Sequence, residues 1–278
     1  MNPAELRLGE RVMLIDSKDR RYLISLRAGA SFHTHAGIVM HDQLIGATEG
    51  DVISGSTGRN FLVLRPTLSD VVLKMPRGAQ VIYPKDLGAI LMQADIGPGM
   101  RILEAGVGSG ALSMTILRAG ALVKGYEIRE DFADRAKENV RAMLGDNVSY
   151  DVEIRDVTES IDERDLDRVL LDMPEPQKVV AHAEAALRPG GIFLAYLPTI
   201  NQTQILRETL NQHAFGLAET VEVLRRTWHI EKRSVRPDHR MVAHTGFLTT
   251  ARRLVRQLDE RTVSPQESED SDDRADGE

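Results

Sequence analysis

The sequence predicts an α/β protein in which a small β domain precedes a doubly wound, mostly parallel sheet. Three observations predict it. Strand-like and helix-like segments alternate from about residue 100 onward, the pattern of a parallel sheet with crossover helices. A glycine-rich turn, Glu104-Ala-Gly106-Val-Gly108-Ser-Gly110-Ala111, joins the first of those strands to its helix. The first 70 residues read instead as short strands separated by turns. A length of 278 residues also suits two domains at about 150 residues each.

In chain order, Arg11–Ile15 and Tyr22–Leu26 flank the turn Asp16-Ser-Lys-Asp19, and Asp51–Ser54 and Phe61–Leu64 flank Gly55-Ser-Thr-Gly58. Such turn-linked pairs make a small, barrel-like β module over residues 1–70. A helix is expected after Tyr83-Pro84-Lys85-Asp86, where Pro84 suits a first-turn position. Beyond Gly97-Pro98-Gly99, strands are expected at Arg101–Ala105, Leu122–Glu127, Val148–Ile154, Arg168–Asp172 and Ile192–Tyr196. Helices are expected at Ala111–Arg118, Asp131–Leu144, Lys178–Leu187 and Gln202–Asn211. Strands near Thr220–Leu224 and Thr245–Thr250 would close the sheet with an antiparallel edge. The sheet domain thus occupies residues 71–256, with a connecting helix at its start, and residues 257–278 form an acidic tail expected to be disordered.

Composition narrows the function. The chain has no cysteine, which excludes disulfides, thiolate metal sites and cysteine nucleophiles and suits a reducing, cytoplasmic setting. Met1-Asn2-Pro3-Ala4-Glu5 lacks the pattern of a signal peptide, and no apolar run has the length of a membrane span. The net charge of −7 argues against nucleic acid only if it is evenly spread. It is not: Val263–Glu278 carries seven acidic residues against one arginine, leaving −1 for the rest. Between Arg225 and Arg256, nine Lys/Arg face Glu231 and Asp238, a local +7.

The glycine turn is the sharpest local signal. Glycines let the backbone pass close beneath a ligand, and the following helix offers free N–H groups. Gly106-x-Gly108-x-x-Ala111 fits the dinucleotide fingerprint loosely, and a ligand-free turn can look the same. Two carboxylates sharpen the reading. Glu104, two residues before Gly106, would repel a pyrophosphate but tolerates a cationic ligand such as S-adenosylmethionine (SAM). Glu127 ends the next strand, 21 residues after Gly106, where a carboxylate can accept both ribose hydroxyls or simply be solvated. Together they favour SAM over NAD. Asp156, after the third strand, can meet the adenine amine of SAM, cap a helix or lie exposed. Asp172, in Leu171-Asp-Met-Pro174-Glu-Pro176, falls at a strand's carboxyl end, where open α/β sheets bind ligands. Its flanking prolines stiffen the loop, which suits either a reacting side chain or a plain proline-bounded turn.

With these segments in place, the sequence resembles the bacterial and archaeal tRNA (adenine-N1)-methyltransferases that act on adenine 58 of the T loop. The matching stretches are Phe32-His-Thr-His35-Ala-Gly37, Gln80-Val-Ile-Tyr83-Pro-Lys-Asp86, Glu104-Ala-Gly-x-Gly-Ser-Gly110, Leu171-Asp-Met-Pro-Glu-Pro176 and His244-Thr-Gly-Phe247-Leu, spanning residues 8 to 253 or so. The resemblance implies a Rossmann-like class I methyltransferase domain, SAM as cofactor, tRNA as partner and a homotetramer. By position it assigns Gly106, Val107, Gly108, Ser109, Gly110, Ala111, Glu127 and Asp156 to SAM. It places Asp172 between the methyl donor and the target adenine, and Tyr83 at the adenine pocket. The sequence departs from the family in a short Ala119-Gly-Ala-Leu122 link and in Gln177, where tryptophan is common.

From this resemblance Asp172 is expected to accept a hydrogen bond from the adenine N6 amine, and Tyr83 to stack on the extruded base or bound its pocket, where an ordinary core aromatic before a helix would look the same. Arg225, Arg226, Lys232, Arg233, Arg236 and Arg240, with Trp228, His229 and His239, can contact RNA or serve as a solvated or oligomer face. His33, His35 and His41 lack the acidic or cysteine partners of a metal site, so no metal is expected. Two rival functions remain: an NAD-linked oxidoreductase, and an RNA-binding module with a degenerate methyltransferase domain.

Overall fold

Apolar residues placed two apart on the strands and three or four apart on the helices sort this chain into two hydrophobic units. A computed structural model describes residues 4–35, 37–75, 78 and 80–257. In the first unit, β1 (Arg11–Asp16) pairs with β2 (Arg21–Ser25), β3 (Ser31–Thr34) with β4 (Gly37–Met40), and β5 (Val52–Ser54) with β6 (Asn60–Leu64). The pairing of β1 with β6 completes a four-stranded antiparallel sheet, order β2-β1-β6-β5. The expected barrel is not formed: among the described residues no ladder joins β2 to β5, and β3–β4 is a separate hairpin. Val12, Leu14, Ile24, Phe61 and Val63 alternate onto one face and make this unit's core.

Helix α1 (Leu68–Lys74) follows, begun by a capping box in which Thr67 and Asp70 bond each other's backbone N–H. It runs across residue 70, and its Val71 and Val72 belong to the second core. Helix α2 (Pro84–Gln93) starts with proline at its first position, as expected, and Tyr83 is its N-cap residue.

The second unit alternates β7 (Arg101–Ala105), α3 (Ala111–Arg118), β8 (Leu122–Glu127), α4 (Glu130–Leu144), β9 (Tyr150–Ile154), β10 (Leu166–Leu171), α5 (Val180–Ala186), β11 (Leu187–Leu197), α6 (Ile200–Asn211) and β12 (Phe215–Glu222). A hairpin, β13 (Trp228–Glu231) with β14 (Ser234–Pro237), then precedes β15 (Phe247–Arg253). The seven-stranded sheet has the order β12-β15-β11-β10-β7-β8-β9. Only the β15 pairings are antiparallel, because β15 enters between β11 and β12 from the opposite end.

Both faces are covered, so the central strands are apolar on both sides. On β10, Leu170 joins one core with Val72, Ile90, Met114 and Ile116, while Val169 and Leu171 join the other with Val180, Ala183 and Leu206. At the start of β10 the buried Arg168 donates to the carbonyls of Ala94, Asp95 and Asp167, which satisfies the end of α2. This arrangement puts the carboxyl ends of β7, β8, β9, β10 and β11 along one rim.

Candidate functional site

The first group is built by the β7–α3 turn. Gly106 has φ +80°, and a Cβ there would stand 2.0 Å from the backbone oxygen of Asp172. Only glycine lets the turn press against the end of β10, and the Asp172 N–H donates to Ala105 O at 2.9 Å in the same contact. Gly110 is the N-cap of α3, and Asn139 on α4 holds the Ser109 carbonyl at 3.1 Å.

Carboxylates arrange themselves around this turn. Glu127 is buried at the end of β8; its Oε2 accepts from Gly108 N–H at 2.9 Å and its Oε1 from Arg129 N–H at 3.2 Å. Glu104 is wholly buried, and its Oε2 accepts from Ser113 Oγ at 2.7 Å, which in turn accepts from the Tyr150 hydroxyl at 2.9 Å. Burial pushes the Glu104 carboxyl up to about 8, with the neighbouring charges of Asp172 and Glu127 adding to it. Asp172 is only partly open to the cavity, and loss of solvent, then the Glu127 charge, raises it to about 7. Asp156 is exposed; its Oδ1 accepts from the N–H and hydroxyl of Thr158, which hold its carboxyl below the usual range.

Glu127, Asp156 and Asp172 share a cavity of about 770 Å³, within the size range of small-molecule sites. Gly106, Gly108, Glu127 and Asp156 line one part of it, and Asp172, Met173, Pro174, Tyr196, Pro198 and Thr245 line another. A small adjoining recess is bounded by Glu104, Val107, Ser109, Ala111 and Asp172. Tyr83 is not among the residues that line either space; it is half-buried at the start of α2, with its phenol near enough to Tyr196 to affect it electrostatically.

Several lining residues escaped the sequence reading. Ile128 is 66% exposed directly after Glu127, an apolar side chain offered to the cavity rather than to the core. Tyr196 sits at the carboxyl end of β11, where the rule that selected Asp172 would have selected it too. Its hydroxyl donates to Thr245 O at 2.6 Å, and its ring leaves no room for a Cβ at Gly246, the nearest atom lying 2.4 Å away. Gln202, at the start of α6, donates to Pro174 O at 3.0 Å and so pins the Asp172 loop.

The donor set fits a cationic nucleoside ligand. Glu104 Oε1 and Ser109 Oγ are buried without partners among the described residues, both at the glycine turn. Three carboxylates at such close quarters also favour positive charge. The basic segment lies elsewhere, on the β13–β14 hairpin and its flanks. Trp228, Ile230 and Val235 are exposed on one hairpin face, and His229 pairs in register with Arg236 on the other. Among the described residues no three potential ligands converge on a metal site: His33 bonds Ser31, and the buried His41 accepts from Arg27 N–H. No described helix is long and apolar enough to cross a membrane.

Comparison with known proteins agrees with this geometry. The family model for the GCD14 subunit of the tRNA methyltransferase complex matches residues 60–273, and the TrmI-like N-terminal model matches residues 5–53. The chain is 39% identical over 246 residues to the tRNA (adenine(58)-N(1))-methyltransferase TrmI of Thermus thermophilus, covering 87% of this chain and 96% of that one. It is 34% identical over 269 residues to the Methanocaldococcus jannaschii enzyme named for adenines 57 and 58, covering 86% and 94%. Among solved structures, a Thermotoga maritima protein described as a SAM-dependent O-methyltransferase superposes with a TM-score of 0.86 at 33% identity, over 92% of this chain and 97% of that one. The tRNA (m1A58) methyltransferase TrmI of Aquifex aeolicus superposes with 0.79 at 29% identity, over 90% and 99%. A family match over most of its length, and relatives above 30% identity aligned nearly end to end, mean that this chain belongs to the GCD14/TrmI family of tRNA methyltransferases.

Proposed function

We infer that this protein transfers a methyl group from SAM to N1 of adenine 58 in the T loop of tRNA. The observation that carries the reading is the single cavity that joins a glycine turn and Glu127 to Asp172 and Tyr196. SAM, when bound, supplies a methyl group activated by a sulfonium. Glu127, the 106–111 turn and Asp156 would hold it, and Ile128 would offer its base an apolar surface.

The tasks left to the chain are alignment and charge stabilisation. Adenine gains positive charge as its N1 is alkylated, so a fixed carboxylate near the exocyclic amine stabilises the transition state more than the ground state. Asp172 is the carboxylate we assign to this role: the proline loop and Gln202 hold its backbone, and its carboxylate has no hydrogen-bond partner among the described residues. Tyr196 bounds the same part of the cavity. Tyr83, close enough to Tyr196 to affect it electrostatically, is assigned to the outer side of the same wall. The exposed basic hairpin supplies charge for the phosphates of tRNA. We extend the reading to a homotetrameric, dimer-of-dimers assembly and a cytoplasmic location; the family resemblance supports the first, the lack of cysteine the second.

Incubating the full chain with labelled SAM and unmodified tRNA, then mapping the product nucleoside, tests the reading. N1-methyladenosine at position 58 is expected. Label on a ribose or base oxygen, or tight tRNA binding with no transfer, overturns it. Light scattering on the same preparation reads the assembly.

A further inference from the structure

His244, just ahead of β15, has no part in the chemistry above. Its Nδ1 lies 2.6 Å from Glu222 Oε1 at the end of β12, and its Nε2 lies 2.9 Å from the carbonyl oxygen of Pro198, after β11. A neutral imidazole has one N–H and one lone pair. A carbonyl oxygen and an ionised carboxylate only accept. Both contacts therefore exist together only when both ring nitrogens carry protons.

The surroundings agree. The Pro198 carbonyl, then the Glu222 carboxylate, hold the imidazole pKa above its ordinary value. The opposing charge is Lys85 of α2, which is itself paired with Asp86 at 2.8 Å. The Phe247 ring packs beside the imidazole with centroids 5.0 Å apart.

What the imidazole joins is one wall of the cavity. Pro198 and Thr245 both line it. Thr245 is held a second time through its hydroxyl, which accepts from Lys85 Nζ at 2.5 Å and donates to Asp86 Oδ2 at 2.6 Å. The Tyr196 hydroxyl donates to the Thr245 carbonyl. Three strand ends, those of β11, β12 and β15, are thereby fixed around Tyr196.

We propose that His244 is a positioning residue that works as an imidazolium, tying Pro198 and Glu222 together so that the Tyr196–Thr245 wall keeps its shape for the target base. Losing the proton releases one of the two bonds, loosens the wall and lowers turnover on the alkaline side. The proposal rests on the methyltransferase reading, but its first test does not.

That test is a nitrogen-15 NMR titration of the imidazole in the full-length protein. The expected result is a ring that stays doubly protonated beyond the ordinary histidine range, and a lower pKa in Glu222→Gln. A neutral ring throughout the neutral range overturns the proposal, whether or not tRNA is methylated. The second test follows methyl transfer against pH in the wild type and His244→Gln. Losing this partly exposed ion pair from the wall should lower kcat roughly two- to fivefold at neutral pH, with the KM for SAM unchanged. The alkaline fall specific to the wild type should disappear. An unaltered kcat and pH profile in His244→Gln overturns the proposal, and Glu222→Gln, expected to shift the same fall to lower pH, decides it if His244→Gln fails to fold.

Discussion

Glu127 Oε2 accepts a hydrogen bond from the Gly108 amide at 2.9 Å, so the carboxylate expected to bind ribose also fastens the end of β8 to the glycine turn. Both Glu127 oxygens take a backbone N–H, the second from Arg129. Replacing Glu127 with Gln puts an NH2 group against one of these donors and leaves a partly buried N–H unsatisfied. With charged hydrogen bonds contributing about 1.5–3 kcal/mol, SAM affinity should fall roughly ten- to a hundredfold. Isothermal titration calorimetry checks this, and an unchanged Kd would remove Glu127 from the cofactor site.

On the proposed reading, Glu104 and Asp172 make SAM binding a proton-linked event. Their carboxyls sit near 8 and 7, above their ordinary values of 4.5 and 3.8, because burial penalises the charged form. A cation entering the cavity favours the ionised form, so protons leave as SAM binds between pH 7 and 8. Calorimetry in buffers of different ionisation enthalpy should show proton release with SAM and less with S-adenosylhomocysteine, which lacks the sulfonium charge. The same shifts set the sign for stability without ligand. The folded state holds protons that the unfolded chain has lost, so stability is greatest below about pH 4 with respect to these two groups and declines as pH rises toward 8. Glu104→Gln should flatten that decline in thermal unfolding.

Gly106 is where fold and site constrain each other most directly. A Cβ at this residue meets the Asp172 carbonyl at 2.0 Å, and the backbone is already at φ +80°. Gly106→Ala must either strain the turn or push the Asp172 backbone aside. Displacement of a reacting group by about 1 Å can cost a hundredfold in rate, so kcat should fall by about that factor along with a lower Tm. A variant with normal kcat would show that the turn and Asp172 do not need this contact.

The sequence foreshadows the sheet domain closely, and the reasons are local. Leu122–Glu127 is bounded by a glycine turn and by the charged run that opens α4, and the strand observed has those same ends. Ala111–Arg118 likewise begins at its glycine cap. What sequence reading misses depends on partners far along the chain. Arg168 looks like a polar strand start, yet its guanidinium is buried because the end of α2 presents carbonyls to it. Tyr196 ends an expected strand and so meets the rule that picked Asp172, but the bond to Thr245 that fixes it as a cavity wall exists only because β15 packs beside β11. His244 belongs to a matched motif with no role attached, since Pro198 and Glu222 come together only when β12 and β11 flank β15. The barrel expectation fails for the same kind of reason: strand content is legible locally, whereas closure depends on which edges meet.

Asp172 provides the most direct test of the chemistry. Its carboxyl must be ionised to accept a hydrogen bond from the adenine amine, and burial, then the Glu127 charge, raises it to about 7, so its proton competes with the substrate amine near neutral pH. The wild-type kcat/KM should therefore rise with pH through about 7, since that ratio reports ionisations of the free enzyme. Asp172→Asn keeps the volume and removes the charge, and its amide can turn an N–H toward the substrate amine. Loss of one electrostatic contact made in the transition state typically costs about 10²–10³ in kcat, and that is the expected deficit. The acid limb should vanish in the same variant, because the group that titrates is gone. SAM binding, measured separately, should weaken far less than kcat falls, as Glu127 and the glycine turn are left intact. An Asp172→Asn enzyme that keeps the wild-type acid limb would assign that ionisation to another group and leave Asp172 with a structural role only.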